Sequence, residues 1–398
     1  MRRTWSAFGF VFIALAASLC VPVFAESVGC GPEEVKQTSA SIAELTKTIK
    51  VFASKGQVDQ ALALLKGYDQ YKLTPDAAEA RLEVAKACKA ARRFSEAAGL
   101  LKKTAAEDPY NRVAPESLGL LAQILYFDMK DTASYNDYLT RLAVEYYPGV
   151  PIVAQARAAF GRGFQDAPVT QKILLDETLG EATIFDRSYL GSNNFGQWDA
   201  IRTLGEAGFV VHDNGWQRGS KLSLSIMNQY GLVIMNGGDS SGKSLPPDSI
   251  EEIANYVRGG GKLLVVCAGK TLGIGKMPQF YAPLISRFGL ELDEEYTTGK
   301  STVKCTPASH SLMIGTGQFQ ATFGIRVQGG TPVGYYGSDP IISMAKFGKG
   351  TVVAAGIGTG FQGNTIGDLY RDTEAKKAEA MINRTFLLKL TQNLLSGR

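Results

Sequence analysis

The sequence predicts an α plus α/β protein: a helical half, then an open, mainly parallel sheet with helices on both faces and some added antiparallel strands. Apolar residues recur at three- and four-residue spacings through residues 39–163, which is typical of packed helices. From residue 172 onward, short unbroken apolar runs alternate with helical patterns, as in parallel strands buried on both faces. The 398 residues suffice for two domains. We divide the chain into a signal peptide at 1–25, a helical domain at 26–165, a linker at 166–171 and an α/β domain at 172–398.

The N-terminal segment has the three parts of a secretory signal peptide. Arg2 and Arg3 form a short positive segment, residues 8–19 form an uncharged apolar core, and Val23-Phe24-Ala25 matches the small-residue cleavage pattern. The apolar run is short for a membrane span. We expect cleavage after Ala25 and a periplasmic or secreted protein without a membrane span. An uncleaved anchor and lipid attachment at Cys30 are the alternatives.

The helical half contains three consecutive pairs of predicted helices. Gly56 ends the first helix, and Pro75, Pro109 and Pro148 end the three pairs. The segments 57–65 and 93–101 are similar, with Ala61 at the position of Ala97. Small residues let paired helices approach closely, and each pair buries its open face on the next.

This pattern resembles tetratricopeptide-type repeats. Ala85, Ala97, Leu101 and Pro109 occupy the small, small, large and proline positions of that motif, and residues 145–156 are similar to repeats of bacterial envelope-assembly proteins. The resemblance implies a grooved surface that binds an envelope protein partner and supplies no catalytic group. A plain helical bundle is the alternative interpretation.

The α/β half begins after a linker that contains Asp166 and Pro168, which predicts two independently folding halves. Residues 290–351 form short alternating runs rich in Gly and Thr, typical of added antiparallel strands. The predicted strands of the parallel part are 172–175, 209–211, 231–235, 262–266 and 351–355, and the predicted helices are 195–207, 222–229, 249–258 and 373–395.

Residues 250–266 are a helix ending in Tyr-Val-Arg-Gly-Gly-Gly, followed by a Lys-Leu-Leu-Val-Val strand. Together with residues 308–312 and 347–353, they resemble class I glutamine amidotransferase-like, flavodoxin-like domains of the non-amidotransferase branch. That branch includes trehalose-utilisation-type proteins and the amino-terminal domain of an intraflagellar transport protein. The resemblance implies the fold of residues 172–395 and little about activity.

Cys267 ends a strand where the resemblance to amidotransferases would place the nucleophile. The elbow of those enzymes is Gly-x-Cys-x-Gly, whereas Val265 stands here in place of the first glycine. Their His-x-Glu base is also not matched, since His310 is followed by Ser311 and Leu312. A thiol without a base is a weak nucleophile. We predict a buried or disulfide-bonded Cys267; an amidase-like enzyme is the alternative and needs this thiol free.

Ligands of open parallel sheets bind beyond the carboxyl ends of the strands. Asp176 and Asp239 follow two such strands and could together bind a polyol, a carbohydrate or a cation. Helix caps and turns are the alternative role for these residue types. The candidate ligand-binding residues at this edge are Asp176, Glu177, Asn236, Asp239, Gly269 and Gly358.

The net charge and the composition argue against nucleic acid, metal and nucleotide as partners. The net charge of +4 falls to about +2 once Arg2 and Arg3 are removed, so we expect no nucleic-acid partner. The chain has only 2 histidines, which leaves little material for a metal site. Residues 237–244 match the phosphate-binding loop literally, but Pro246 and Pro247 follow at once and an exported protein meets no nucleotide. We expect no cofactor and no metal.

Four cysteines remain after cleavage, Cys30, Cys88, Cys267 and Cys305, which allow two disulfides in three pairings. Cys30–Cys88 and Cys267–Cys305 stay within domains and are the pairings we favour. The sequence predicts an exported, non-enzymatic adaptor whose helical repeats bind a partner protein. The main alternative is a hydrolase or carbohydrate-active enzyme that uses Asp176, Asp239 and His310.

Overall fold

The computed structural model confirms the predicted fold class, with a helix-rich first half followed by a mostly parallel sheet that carries antiparallel strands. The predicted signal peptide and Cys30 lie outside the residues that the structure describes. The described ranges are 44–70, 75–107, 109, 113–176, 198–214, 222–236, 244–269, 277–299, 301–358, 360–361 and 374–397.

The first half is a series of antiparallel helical hairpins. Ala61 and Ala97, the small residues that the sequence aligns, are both fully buried where paired helices meet. The chain leaves the first helix of each of the three pairs through a residue with positive φ: Gly56 at 70°, Arg92 at 58° and Lys130 at 57°. The helices are α1 (44–54), α2 (Val58–Leu65), α3 (Pro75–Ala90), α4 (Phe94–Glu107), α5 (Ala114–Gln123), α6 (Thr132–Glu145) and α7 (Pro151–Phe160).

A π turn prolongs α5 through Ile124–Asp128. Within it the Met129 N–H donates to the Ile124 carbonyl at 2.9 Å, five residues back rather than four. Such a turn holds one residue more than an α-helical turn and rotates the side chains around it. As a result the third hairpin differs from the first two at its tip.

The sheet contains nine strands among the described residues, in the order β2-β1-β3-β4-β11-β10-β9-β6-β7, and a separate ribbon pairs β5 with β8. The first five strands in that order run parallel, and the other four continue the sheet antiparallel. The strands are β1 (Lys172–Asp176), β2 (Val210–Asp213), β3 (Leu232–Asn236), β4 (Lys262–Val266), β5 (Leu290–Asp293), β6 (Val303–Pro307), β7 (Phe319–Ala321), β8 (Arg326–Gly329), β9 (Thr331–Tyr336), β10 (Asp339–Phe347) and β11 (Gly350–Ala355).

Both faces of the sheet are covered. Along β4, Leu263 and Val265 pack into one hydrophobic cluster, while Leu264 and Val266 pack into the other. Neighbouring strand residues point to opposite faces, so an unbroken apolar run requires cover on both. The covering helices are α8 (Trp198–Glu206) and α12 (Glu374–Leu395) on one face, and α9 (Leu224–Met227), α10 (Pro247–Arg258) and α11 (Met277–Ser286) on the other.

The helical half packs directly on the α/β half. Tyr147 and Val153 belong to the same buried cluster as Leu174 of β1 and Tyr230. In the linker, the Asp166 carboxylate pairs with the Lys172 ammonium at 2.6 Å and with the Arg157 guanidinium at 3.4 Å. The linker is therefore held by charges from both sides. No helix in the described ranges has the length and apolar composition that crossing a bilayer requires.

Candidate functional site

Asp176 lies at the switch point of the parallel part of the sheet. The order β2-β1-β3-β4 reverses direction between β1 and β3, and ligands of such sheets bind beyond the strand ends at this switch. Asp176 is the last residue of β1 and is fully buried. Its Oδ1 accepts a hydrogen bond from the Asn214 side-chain amide at 2.7 Å. The carboxylate is thus held in place by the residue that follows β2.

The helical half contributes a side chain to this position. Tyr147 is only 5% exposed. Burial and the negative charge of Asp176 together raise the pKa of the Tyr147 phenol. Tyr147 is thus close enough to Asp176 to be affected by its charge. The site is therefore assembled from both halves of the chain.

Of the other acidic and amide residues predicted at this edge, only Asn236 lies within the described residues. It ends β3, and the register of β3 on β1 pairs Met235 with Asp176, so Asn236 is one residue further along the neighbouring strand. Glu177 and Asp239 lie outside the described residues. The predicted pair of Asp176 with Asp239 thus stays a prediction.

Cys267 follows β4 and is enclosed by backbone. Its N–H donates to the Ala355 carbonyl at 2.8 Å, and its own carbonyl accepts from the Gly358 N–H at 2.8 Å. The side chain is 1% exposed, and burial raises the pKa of the thiol well above its ordinary value. A neutral, enclosed thiol is not a nucleophile at neutral pH.

Gly269 and Gly358, predicted as part of a ligand-binding rim, are packed against a chain segment that crosses the ends of β4 and β11. The Gly269 N–H donates to the Phe323 carbonyl at 2.7 Å. Gly358 has φ of 62°, and a Cβ there would lie 1.8 Å from the Thr322 carbonyl oxygen. Only glycine allows such a close approach of two backbones. Both glycines thus allow residues 322–325 to pack closely over this edge of the sheet.

His310 does not join Cys267 or Asp176. It follows β6, which runs opposite to the parallel strands, so it lies at the other edge of the sheet. There its Nδ1 accepts from the Leu312 N–H at 3.1 Å and caps the short helix Ser311–Met313. The structure therefore brings His310 together with neither Cys267 nor Asp176. A hydrolase or an amidase-like enzyme would need another group in place of His310.

The favoured disulfide Cys267–Cys305 is also wrong. Both residues are buried free thiols, as is Cys88 in the helical core. Three strands separate β4 from β6, which puts the two cysteines roughly 19 Å apart at the usual strand spacing, and they belong to clusters on opposite faces. A disulfide needs Cα atoms within about 7 Å. The pairing Cys30–Cys88 involves a residue outside the described ranges and stays a prediction.

His212 has a structural role that the sequence did not reveal. Its Nε2 lies 2.9 Å from the Val144 carbonyl of α6, and its Nδ1 lies 2.8 Å from the Tyr230 hydroxyl. Because a carbonyl oxygen only accepts, the proton is on Nε2 and Tyr230 donates to Nδ1. Burial lowers the pKa of His212 to about 4, so the ring is neutral and joins the two halves. The available signal was a histidine directly after the apolar run 209–211.

A cluster of exposed apolar side chains at the third hairpin was not predicted either. Tyr126, Phe127 and Met129 are 45%, 64% and 39% exposed. Phe127 packs edge-on against Tyr126 with ring centroids 4.9 Å apart. These residues lie in and directly after the π turn that prolongs α5.

No group of three metal-ligating side chains occurs within the part of the chain that the structure describes. A shallow pocket between α8 and α12 is lined by apolar side chains alone. Its lining offers no polar group that could orient a substrate. Its residues are Leu175, Ala200, Ile201, Leu204, Val211, Ile234, Phe361 and Leu387.

Comparisons with known proteins do not identify a function for this site. No family model and no curated protein matches the chain. Among solved structures, the mmIFT52 N-terminal domain is 12% identical at a TM-score of 0.37, over 54% of this chain and 96% of its own. The cytoplasmic protein STM1381 from Salmonella typhimurium LT2 is 15% identical at 0.39, over 56% and 99%. The exo-beta-1,4-mannosidase Op5Man5 from Opitutaceae bacterium strain TAV5 is 15% identical at 0.35, over 73% and 54%. Likenesses at this level identify neither the family nor the activity of this chain.

Proposed function

We propose that the protein is an exported, non-enzymatic adaptor of the cell envelope whose helical half binds a partner protein. Export is inferred from the signal-peptide pattern of residues 1–25. The likeness of the two halves to tetratricopeptide-type repeats and to amidotransferase-like domains belongs to the same proposal. Both kinds of domain would act here as scaffolds.

The exposed aromatic cluster carries the proposal. Soluble proteins expose single apolar side chains routinely, but contiguous aromatic clusters mark interaction sites. Phe127 is the most exposed of the large apolar residues in the described ranges, and it lies on the helical half next to Tyr126 and Met129. Aromatic residues and methionine are also the types enriched at protein interfaces.

The positions of the candidate catalytic residues also support the adaptor function. The Cys267 thiol is enclosed and protonated, and His310 lies at the opposite edge of the sheet. Asp176 is buried and accepts a hydrogen bond from Asn214. Its position at the switch between β1 and β3 still favours a small polar or carbohydrate ligand as a second role of the α/β half.

Photo-crosslinking in the native host tests the adaptor function. A photoreactive phenylalanine analogue is placed at position 127, or at Ile314, a control residue on the α/β half that is 55% exposed. We expect a discrete protein adduct from position 127 and none from position 314. Absence of any adduct at 127 would contradict the proposal, and so would polysaccharide hydrolysis by the purified protein that is lost in Asp176→Asn.

A further inference from the structure

Basic side chains gather at the edge of the sheet where the parallel strands begin. Lys262 is the first residue of β4, Thr351 of β11 lies opposite it, and Lys346 of β10 lies opposite Thr351. Two strand spacings put the backbones of Lys262 and Lys346 about 10 Å apart. The turn between β10 and β11 carries Lys349, whose N–H donates to the Arg258 carbonyl at the end of α10 at 3.1 Å. The surface made by Arg258, Lys262, Arg287, Lys346 and Lys349 is called the basic edge below.

Two of these cations are held on one aromatic ring. The guanidinium carbons of Arg258 and Arg287 lie 5.2 and 5.9 Å from the centroid of the Phe347 ring. The ring itself packs edge-on against Phe288, with the two centroids 5.2 Å apart. The turn is also fixed, since a Cβ at Gly348 would lie 2.6 Å from the Arg258 carbonyl oxygen. Both guanidinium groups are therefore positioned by packing within the fold.

The segments that form the basic edge contain no counterion. Residues 255–263, 283–290 and 345–351 together contain five basic residues and no acidic residue. Arg287 pairs with Glu251 of α10 at 3.1 Å. In the part of the chain that the structure describes, the other four cations take part in no ion pair. The charge of this surface is thus mostly uncompensated.

The carboxylates that flank the basic edge are directed elsewhere. Glu252 accepts from a backbone N–H at the start of α9 at 2.7 Å. Glu291 lies on the β5–β8 ribbon, opposite Gln328. Burial and the charge of Lys346 lower the pKa of the Lys262 ammonium, as expected where like charges meet without a counterion.

Helix ends account for only part of this cluster. Cations are favoured at the carboxyl ends of helices, where the backbone carbonyls are unpaired. Arg258 ends α10, and the Lys262 ammonium donates to the Leu395 carbonyl at the end of α12 at 2.9 Å. Lys346, in contrast, belongs to a strand and donates to the Thr351 hydroxyl at 2.8 Å. The stability of the helices therefore does not explain why the cations converge here.

Two exposed apolar side chains flank the same edge. Val169 and Ile314 are 46% and 55% exposed. A Cβ at Gly231 would lie 2.7 Å from the Val169 carbonyl oxygen and 2.8 Å from the Leu395 side chain. The Asn393 side-chain amide donates to the Ile314 carbonyl at 2.9 Å. Both apolar residues thus lie around the end of α12, the helix end that the basic edge contacts.

We propose that the basic edge binds the anionic phospholipid surface of a membrane, with Val169 and Ile314 in contact with the interfacial layer. The inference goes beyond the adaptor proposal and uses only its assumption of export. The α/β half would hold the protein at the membrane, while the helical half binds the partner protein.

The shape and chemistry of the surface favour a lipid leaflet over other anions. The cations are spread over a hairpin turn, two strands and two helix ends rather than enclosed in a pocket, which suits an array of phosphates. Guanidinium groups bind phosphate oxygens in a forked geometry, and clusters of four or more basic residues attract anionic lipids. Nucleic acid also offers an array of phosphates, but it has no apolar layer for Val169 and Ile314, and an exported protein does not meet it.

Vesicle co-sedimentation tests the proposal on the mature, full-length protein. One set of vesicles combines phosphatidylglycerol with phosphatidylcholine, and the other is phosphatidylcholine alone, which carries phosphate but no net charge. We expect at least tenfold tighter binding to the vesicles that contain phosphatidylglycerol. The affinity should fall as the salt concentration rises, because exposed charges are screened. Polyglutamate and an oligodeoxynucleotide serve as soluble anions for comparison.

Charge reversal locates the binding surface. The double variant Lys346→Glu with Lys349→Glu should weaken binding to the anionic vesicles about tenfold or more. The matched control is Lys55→Glu with Lys304→Glu, which makes the same charge change at two exposed positions away from this edge and should leave the affinity unchanged. Circular dichroism melting checks that each variant is folded. If the double variant is not, Lys349→Glu alone changes an exposed side chain and should weaken binding about threefold.

The apolar contribution is tested separately. Val169→Ser with Ile314→Ser should weaken binding about threefold and leave its salt dependence unchanged, because the charges remain. The control is Val51→Ser in α1, which is 41% exposed and should bind like the wild type.

Three results would overturn the inference: equal binding to both sets of vesicles, wild-type affinity in the folded charge-reversal variant, or binding of polyglutamate or the oligodeoxynucleotide as tightly as of anionic vesicles. The adaptor proposal fails separately. Vesicle binding without a protein adduct at position 127 would support the membrane inference alone. An adduct at 127 without vesicle binding would leave only the adaptor.

Discussion

Burial decides the chemistry of single residues in this protein. Cys267 and Asp176 both stand at strand ends where a sheet of this kind holds its ligands, and both are almost completely enclosed. Cys267 is surrounded by apolar side chains of one cluster, which keeps the thiol protonated. Asp176 keeps a hydrogen-bond donor in Asn214. The same edge thus contains an inert thiol and a stabilised carboxylate.

The enclosed thiol leads to a direct prediction. Iodoacetamide at neutral pH should label Cys267 slowly in the native protein and quickly in denaturant, because the reactive species is the exposed thiolate. Labelling is followed by mass spectrometry of the peptides. Cys88 and Cys305, which are equally buried, serve as internal references. Rapid stoichiometric labelling of Cys267 alone would reinstate the amidase-like alternative.

We predict that the stability of the protein depends on pH through the buried His212. Its pKa is about 4 in the folded protein, against about 6.5 unfolded, so its contribution is complete above pH 6.5 and is lost as the pH falls toward 4. The loss is about 3 kcal/mol in the free energy of unfolding. Denaturant titrations at several pH values measure it. The control is His212→Gln, which can still donate to the Val144 carbonyl but does not titrate; equal pH dependence of both proteins would show that His212 is not the cause.

At the scale of elements, the hairpins depend on one backbone conformation at each tip. Gly56 has φ of 70°, and no atom lies within 4 Å of the position that a Cβ would take, so Gly56→Ala isolates the conformational cost. We expect it to destabilise the protein by about 1 kcal/mol. The matched control is Gly99→Ala in the middle of α4, which is equally open and should stabilise by about 0.5–1 kcal/mol. Equal effects of the two substitutions in urea unfolding would contradict this view of the turns.

Local patterns predicted most elements well. The strands expected at 172–175 and 262–266 are found as Lys172–Asp176 and Lys262–Val266, since unbroken apolar runs between polar boundaries leave little choice. The helix expected at 222–229 is only Leu224–Met227, because Asn228 and Gln229 continue as a turn. Short helices depend on tertiary contacts rather than on propensity.

The candidate site was less predictable, because it depends on contacts between distant segments. The sequence placed Asp176 and Cys267 at strand ends correctly, but it could not show that residues 322–325 cross over Gly269 and Gly358. The position of His310 follows from the direction of β6, which only the pairing of β6 with β9 defines. The π turn at Ile124–Asp128 leaves no clear mark in the sequence.

At the scale of the molecule, the two halves share a core. Tyr147 and Val153 of the helical half are buried with Leu174 and Tyr230, and Asp166 of the linker is paired on both sides. We therefore expect one cooperative transition in calorimetry at neutral pH, rather than the two that the linker alone suggests. Two resolved transitions, or protease cleavage at Asp166 that leaves two stable fragments, would show that the interface contributes little.

If the adaptor proposal is right, function depends on the helical tip and not on the chemistry of the sheet edge. The most direct measurement is crosslinking in the native host from a photoreactive residue at Ala133, which is exposed at the start of α6, four residues after Met129. It compares the wild type with Phe127→Ala and with Cys267→Ala. We predict the same discrete adduct in the wild type and in Cys267→Ala, and at least a tenfold loss in Phe127→Ala. An adduct that persists in Phe127→Ala and disappears in a folded Cys267→Ala would contradict the proposal.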